Sequence, residues 1–292
     1  MDTSFDLTSL RDNVQHWKTA GRSIALVPTM GNLHEGHISL ISRAREVAER
    51  TVVSIFVNPI QFGQGEDYDN YPSTLDEDQR KLERAGLDLI FAPNLNELYP
   101  AGIEKDTRVT VPALSDILCG EYRPGHFTGV ATVVIKLLTN VQPDFALFGQ
   151  KDYQQVQVIR RMVRDLLIPT EIIAMPIIRE ADGLAMSSRN SYLNGEQRKI
   201  AAIIFQTLNQ ASARLRTQSS QLSEIERDGD AALVQAGMQP EYFSIRRQDD
   251  LAPAVAGDQK LIILVAAWLG SARLIDNVQV ELEQPLSARA LH

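Results

Sequence analysis

The stretch that most limits what this chain can fold into is Pro28-Thr29-Met30-Gly31-Asn32-Leu33-His34-Glu35-Gly36-His37. It follows an apolar run, Ile24-Ala25-Leu26-Val27, and precedes apolar residues at helical spacing: Ile38, Leu40, Ile41, Ala44, Val47 and Ala48. A short apolar run followed by a 3.6-residue period reads as a strand, a tight turn and a helix start. Gly31 and Gly36 stand where the backbone must turn sharply or admit a ligand. The first amides of the helix have no intrahelical acceptor and favour an anion. Two histidines sit beside that position, and imidazole donates to phosphate oxygens and takes a proton near neutral pH. His34 and His37 are therefore candidates to stabilise negative charge that builds on an attacked phosphate.

A lone loop histidine is more often an ordinary polar residue than a catalyst, so it is the pair that carries weight. His-Glu-Gly-His is not the His-Glu-x-x-His zinc pattern, because its histidines stand three apart instead of four and no spaced third ligand is evident. The metalloprotease reading is rejected. The turn lacks the Gly-Lys-Ser/Thr ending of a P-loop and the three glycines of the dinucleotide fingerprint. What remains, a His-x-Gly-His turn after the first strand of an α/β sheet, resembles the signature of the nucleotidyltransferase superfamily.

The 292 residues suffice for one large domain or two ordinary ones. With 44% hydrophobic and 23% charged residues the composition is that of a soluble globular protein. A formal net charge of -8 argues against broad contact with a nucleic-acid backbone, leaving room only for a local basic pocket. The one cysteine, Cys119, excludes an internal disulfide, offers no metal cluster and fits a reducing compartment. The longest apolar run, 261–269, is strand-sized, and the first residues carry Asp2 and Asp6 in place of a basic region and apolar stretch. No membrane segment or targeting leader is expected, and the expected location is the cytoplasm.

Along the chain, Leu7, Leu10, Val14 and Trp17 predict a packing helix before Gly21. The β-branched run 51–57 predicts a strand covered on both faces, ending in Asn58-Pro59-Ile60-Gln61. Ligands of open α/β sheets bind beyond the carboxyl ends of parallel strands, which makes Asn58 and Gln61 candidates by position. An acidic, aromatic loop over 65–72 leads to a helix ending near Ala85, capped by Ser73 with Asp76 or by Thr74 with Glu77. Most of that loop's carboxylates are expected to be solvated or capping, with one or two left to order a lid or a magnesium shell. A strand over 87–93 follows. Strands alternating with helices predict an α/β fold: a Rossmann-like, doubly wound parallel sheet with right-handed crossovers. Arg123 can meet phosphate or pair with an acid; His126, at the head of a heavily apolar helix, lines the site or caps the helix, the structural role being favoured.

The second strand-to-helix junction, from Asp144 to Gln155, holds Gly149, Lys151 and Asp152. Gly149 lets a backbone approach, Lys151 brings an ammonium for phosphate, and Asp152 can cap the helix, hold a ribose hydroxyl or join a magnesium shell. The helix runs to Leu166 and a strand over 171–178 follows. The character then changes, which sets domains at 1–178 and 179–292. In the second, Met186-Ser187-Ser188-Arg189 offers hydroxyls and a guanidinium that can close over a triphosphate. Helices over 197–216 and 222–236 and β-rich segments over 242–246, 261–269 and 273–280 predict a smaller C-terminal α+β domain.

Five stretches together resemble the pantothenate synthetase family, the pantoate–β-alanine ligases. They are Pro28 to His37, Phe-Val-Asn-Pro-Ile-Gln-Phe from Phe56, Arg-Pro-Gly-His-Phe from Arg123, Phe-Gly-Gln-Lys-Asp-Tyr-Gln-Gln from Phe148, and Asp-Gly-Leu-Ala-Met-Ser-Ser-Arg-Asn from Asp182. The resemblance implies that ATP activates (R)-pantoate as pantoyl adenylate, releasing pyrophosphate, and that β-alanine then displaces AMP to give pantothenate. It implies an ATP site at Met30, Gly31, Asn32, Leu33, His34, Glu35, Gly36, His37, Gly149, Gln150, Lys151, Asp152, Ile178, Met186, Ser187, Ser188 and Arg189. His37 would stabilise the transferred phosphoryl, and His34, Lys151, Ser187 and Arg189 would meet phosphates. Gln61 and Gln155 would hydrogen-bond pantoate, with Gln61 also near β-alanine and Asn58 in support. The resemblance also implies Mg2+, with ligands that the sequence does not reveal, a homodimer, and a lid role for the second domain. Ser73, where the family pattern has Arg, and Ile60, where Met or Leu is usual, are departures. A nucleotidyltransferase acting on a phosphorylated acceptor, a tRNA synthetase and a non-catalytic nucleotide binder are the alternatives.

Overall fold

A computed structural model describes residues 1–63, 65–72 and 74–282. Contacts divide them into two compact units: Met1–Ile178 with Met186–Ser188, and Arg179–Ala185 with the chain from Arg189 onward. Met186–Ser188 thus groups with the first unit, where the change of sequence character had set the whole stretch beyond residue 178 in the second.

The first unit is built on a parallel sheet of β1 (Asp2–Ser4), β2 (Ile24–Thr29), β3 (Arg50–Ile55), β4 (Leu89–Phe91), β5 (Phe145–Gly149) and β6 (Glu171–Met175), in the order β1-β4-β3-β2-β5-β6. The interior strands are β-branched or aliphatic because both faces are covered: Ile24, Leu26, Val53 and Ile90 are each 0% exposed. The connections run through α1 (Leu7–Thr19), α2 (Glu35–Val47), α3 (Leu75–Arg84), the single turns α4 (Leu95–Leu98) and α5 (Cys119–Tyr122), then α6 (His126–Val141) and α7 (Tyr153–Asp165). This is the doubly wound arrangement that the alternation predicts.

From β2 the chain proceeds to β3 on one side, while β5 pairs with β2 on the other. The order therefore reverses between β2 and β5, and the crevice outside their carboxyl ends is where such sheets take ligands. Two elements depart from expectation. The strand β1 has no apolar pattern of its own; Asp2, Thr3 and Ser4 are extended because they pair with Leu89, Ile90 and Phe91. Strand β6 stops at Met175, short of the 171–178 run.

The second unit holds α8 (Gly195–Ala201), α9 (Ile203–Thr217), α10 (Leu222–Gln235) and an antiparallel sheet β7 (Gln239–Arg247), β8 (Lys260–Leu269) and β9 (Ala272–Glu281). Its core joins Ile204, Leu208 and Leu215 of α9 to Ile263 and Val265 of β8. The single helix expected over 197–216 is α8 and α9 with one break at Ala202, whose dihedrals remain helical (φ -63, ψ -20). Segment 179–185 belongs here because Arg179 binds the Asp276 carboxylate at 2.6 and 2.9 Å and lies 3.8 Å from the Phe205 ring centroid. Among the described residues no helix is long and apolar enough to cross a membrane.

Candidate active site

The turn after β2 is left-handed at Gly31 (φ +82) and at Asn32 (φ +50), a geometry that needs outside support when the second residue has a side chain. Support comes from α3. The carboxylate of Asp78, 0% exposed, accepts the backbone N–H groups of Asn32 and Leu33, each at 2.8 Å, and the Thr74 hydroxyl at 3.1 Å. Lys81 Nζ donates to the Leu33 carbonyl at 2.6 Å. Sequence reasoning missed this clamp, although Asp78 shares a helix face with Leu75 and with the buried Leu82, an unusual place for a carboxylate. Thr74 thus uses its hydroxyl on Asp78 and makes no cap bond, and Ser73 lies outside the described residues.

Supported in this way, the loop runs into α2 with His34 as its N-cap. His34 Nδ1 accepts the Gly36 N–H at 3.1 Å, and the His34 N–H donates to His37 Nδ1 at 3.3 Å. A Cβ on Gly36 would lie 2.8 Å from His34 Cε1, so the cap requires glycine there. The rings lie 4.1 Å apart, centroid to centroid. With Nδ1 accepting in both, the proton of each neutral imidazole resides on Nε2. Burial, followed by the neighbouring His34 and the Lys151 and Lys81 ammonium groups, lowers the His37 pKa to about 3. The expectation that His37 becomes charged near neutral pH is corrected accordingly. It is a neutral N–H donor, and neighbouring cations supply the positive potential.

Gln61 is fixed from several sides. Asn58, 1% exposed, donates to Gln61 Oε1 at 3.3 Å and to the Gly129 carbonyl at 3.1 Å, and accepts from the Tyr99 hydroxyl at 2.8 Å. Its polar atoms are engaged with the protein, so it supports Gln61 from behind. Gln61 Nε2 donates to Met30 Sδ at 3.0 Å, which ties it to the turn after β2. Helix α6 approaches so closely that a Cβ on Gly129 would sit 2.7 Å from the Gln61 backbone nitrogen.

Across the switch point, β5 ends in Gly149 and a tight turn over Gln150–Asp152 before α7. Asp152 occupies the N-cap position of α7 without a side-chain cap bond, so the capping option is not the one used. Lys151 acts electrostatically on His37, and Asp152 on His126, which brings the two loops' charges together. Gln155 is half-buried, whereas its neighbour Gln154 is 4% exposed and bonded to the backbone of Leu114, Ile117 and Cys119. Met186 donates its N–H to the Ile178 carbonyl at 3.0 Å, and Ser188 Oγ bonds the Asn32 carbonyl at 3.4 Å. Ser187 lies between them in the first unit, while Arg189 belongs to the second.

A family model described as pantoate-beta-alanine ligase matches residues 3–279. The chain belongs to that family. A pantothenate synthetase of Pseudomonas aeruginosa is 52% identical over 283 residues, 97% of this chain and 100% of that protein. One of Alkalilimnicola ehrlichii is 52% identical over 94% of this chain and 96% of its own length. Among solved structures, the pantothenate synthetase of Thermus thermophilus superimposes with a TM-score of 0.88 at 44% identity, covering 95% of this chain and 99% of that one. The pantoate-beta-alanine ligase of Francisella tularensis, solved with "Beta-gamma ATP and Beta-alanine", gives a TM-score of 0.79 at 34% identity over 95% of this chain and 97% of that one.

Magnesium fits this donor set only in a particular way. Among the described residues no group of three or more His, Cys, Asp or Glu is arranged to hold a metal. A hard cation that keeps several waters and binds phosphates needs no such cage and takes one or two carboxylates. Asp152, on the turn that also carries Lys151, is the carboxylate suited to that part.

Proposed function

We propose that this chain joins (R)-pantoate to β-alanine in two steps at the crevice between β2 and β5. A pantoate carboxylate oxygen attacks the α-phosphorus of ATP and pyrophosphate leaves, giving pantoyl adenylate. The β-alanine amine then attacks the acyl carbon, the acyl–oxygen bond breaks, and AMP leaves with pantothenate formed. Activation is needed because a free carboxylate is a poor acyl donor. One observation carries the reading: the reciprocal cap of His34 and His37 leaves both imidazoles with a proton on Nε2, beside Lys151, at the topological switch point of the sheet.

In this reading the chain's own groups divide the work. The His34 and His37 imidazole N–H groups stabilise the charge that develops on the transferred phosphoryl. Lys151 neutralises phosphate, Gly149 lets the backbone approach, and the family resemblance assigns Ser187 and Arg189 to the phosphates and Gln150 and Ser188 to the nucleotide. Met30, Gly31, Asn32, Leu33, Glu35, Ile178 and Met186 are assigned to the nucleotide on the same footing. Gln61 and Gln155 hold pantoate; their neutral amides suit a hydroxylated carboxylate better than a phosphate dianion, for which arginine or lysine would serve. Asp152 would help hold magnesium, which would supply positive charge against the leaving pyrophosphate.

We also assign the enzyme to the cytoplasm, supported by the single buried Cys119 and the use of ATP. We assign it a homodimeric state, supported by half-buried Ile172, Ile173 and Met175 on the edge strand β6 and by Leu167 at 88% exposure. The test of function is ATP–pyrophosphate exchange with magnesium and (R)-pantoate, run without and then with β-alanine. Pantoate-dependent exchange, followed by AMP and pantothenate when the amine is added, is expected. Absence of both from a folded, ATP-binding sample would overturn the ligase reading.

A further inference from the structure

Behind Gln61 lies a chain of polar contacts that the two-step reaction does not use. The Gln61 carbonyl accepts from His126 Nδ1 at 2.7 Å and from Arg123 Nη2 at 3.2 Å. Arg123 Nη1 lies 3.1 Å from His126 Nε2, and since a guanidinium only donates, that contact makes Nε2 the acceptor and leaves the imidazole proton on Nδ1, facing Gln61. Arg123 is in turn clasped by Glu66 through two bonds, Nε to Oε1 at 2.6 Å and Nη2 to Oε2 at 2.5 Å, with side chains only 12% and 15% exposed. Burial alone would raise the Glu66 pKa, but the Arg123 hydrogen bonds and charge outweigh it and hold it below the usual carboxylate range.

An ion pair withdrawn from water to this degree does little for stability, because desolvation offsets most of the attraction and well-packed apolar residues would serve as well. What this pair does geometrically is more specific. It fixes the guanidinium, which fixes the imidazole tautomer, which fixes one backbone carbonyl. The residue owning that carbonyl is Gln61, whose side-chain amide is already oriented by Asn58 and Met30. A recognition amide must be held within a fraction of an ångström to discriminate substrates. We propose that Glu66 and Arg123 are positioning residues acting through His126 on Gln61, so that the Glu66–Arg123 pair sets the affinity for pantoate. The inference rests on the assignment of Gln61 to pantoate.

The discriminating variants are His126→Asn and His126→Gln, neither of which adds charge. The asparagine amide nitrogen falls near the position of Nδ1 and can still donate to the Gln61 carbonyl, whereas that of glutamine falls near Nε2 and cannot. H126N should keep the KM for pantoate within about threefold of wild type, and H126Q should raise it about tenfold, the scale of one lost hydrogen bond near a substrate group. E66Q should raise it similarly, and the KM for ATP should hold in all three. Equal pantoate KM values for H126N and H126Q, or matching rises for ATP, would overturn the proposal. Q61A is the separate control: an unchanged pantoate KM there would overturn the assignment of Gln61 itself, while a raised KM in Q61A with no difference between the His126 variants would remove only the positioning chain.

Discussion

Replacing Asp78 by asparagine probes how the reactive loop is held. Its carboxylate accepts two backbone N–H groups at 2.8 Å from a site with no solvent exposure. An asparagine oxygen can accept one of them, and its NH2 group then meets the other N–H donor to donor. Losing a charge-assisted bond costs about 1.5–3 kcal/mol, and a stranded buried N–H about 1–3 kcal/mol more. Against a typical domain stability of about 5–15 kcal/mol the fold survives, and the less costly response is for the turn to leave its left-handed geometry at Gly31 and Asn32. That displaces the head of α2, and a shift of about 1 Å at a catalytic donor costs about 10²-fold in rate. Pantoate-dependent pyrophosphate exchange in D78N should therefore fall about 10²-fold in kcat, with the pantoate KM little changed because Gln61 is braced from α6. The loss should also be smaller in an H37A background, since part of the clamp's effect works through that histidine. Exchange within about threefold of wild type, or equal losses in both backgrounds, would refute the reasoning.

His37→Ala should retain the fold by circular dichroism and lose about 10² to 10³ in adenylation rate, the scale of one transition-state donor; near-normal turnover would exclude the role. In Gly129→Ala the new methyl meets the backbone of Ile60 and Gln61 at 2.7 Å. The pantoate KM should rise about tenfold, with the ATP KM steady, as the turn is pushed aside. Burial, ahead of neighbouring charges, lowers both His37 and His126 to about 3 in the folded chain from 6.5. The unfolded chain then binds more protons between those values. Their contribution is complete above pH 6.5 and is withdrawn as pH falls toward 3, at up to about 1.4 kcal/mol per unit for each histidine. Urea denaturation at about pH 7 and about pH 5.5 should show that loss in wild type and a smaller one in H126N.

Much of the first unit is legible because its signals are local. Ile24–Val27 and the run around Val52 are buried on both faces and read as strands, and the His-x-Gly-His turn announces the switch point at which β2 and β5 part. What escapes is contributed by distant partners. The strand β1 exists only because Leu89–Phe91 supplies its hydrogen bonds. Asp78 clamps a turn 45 and 46 residues earlier in the chain, and its local trace is a carboxylate on an apolar helix face. Arg123, open between phosphate and acid in the sequence, meets Glu66, and His126 serves the Gln61 carbonyl, pairings that no local period encodes.

The most direct measurement of the central claim is oxygen transfer. (R)-Pantoate carrying 18O in its carboxylate is turned over with ATP, magnesium and β-alanine, and the AMP is analysed by mass spectrometry. Attack of the carboxylate on the α-phosphorus predicts that each AMP carries a single 18O, whatever the fate of pyrophosphate. AMP without label, or label appearing in inorganic phosphate beside ADP, would contradict adenylate formation at the site of His34 and His37.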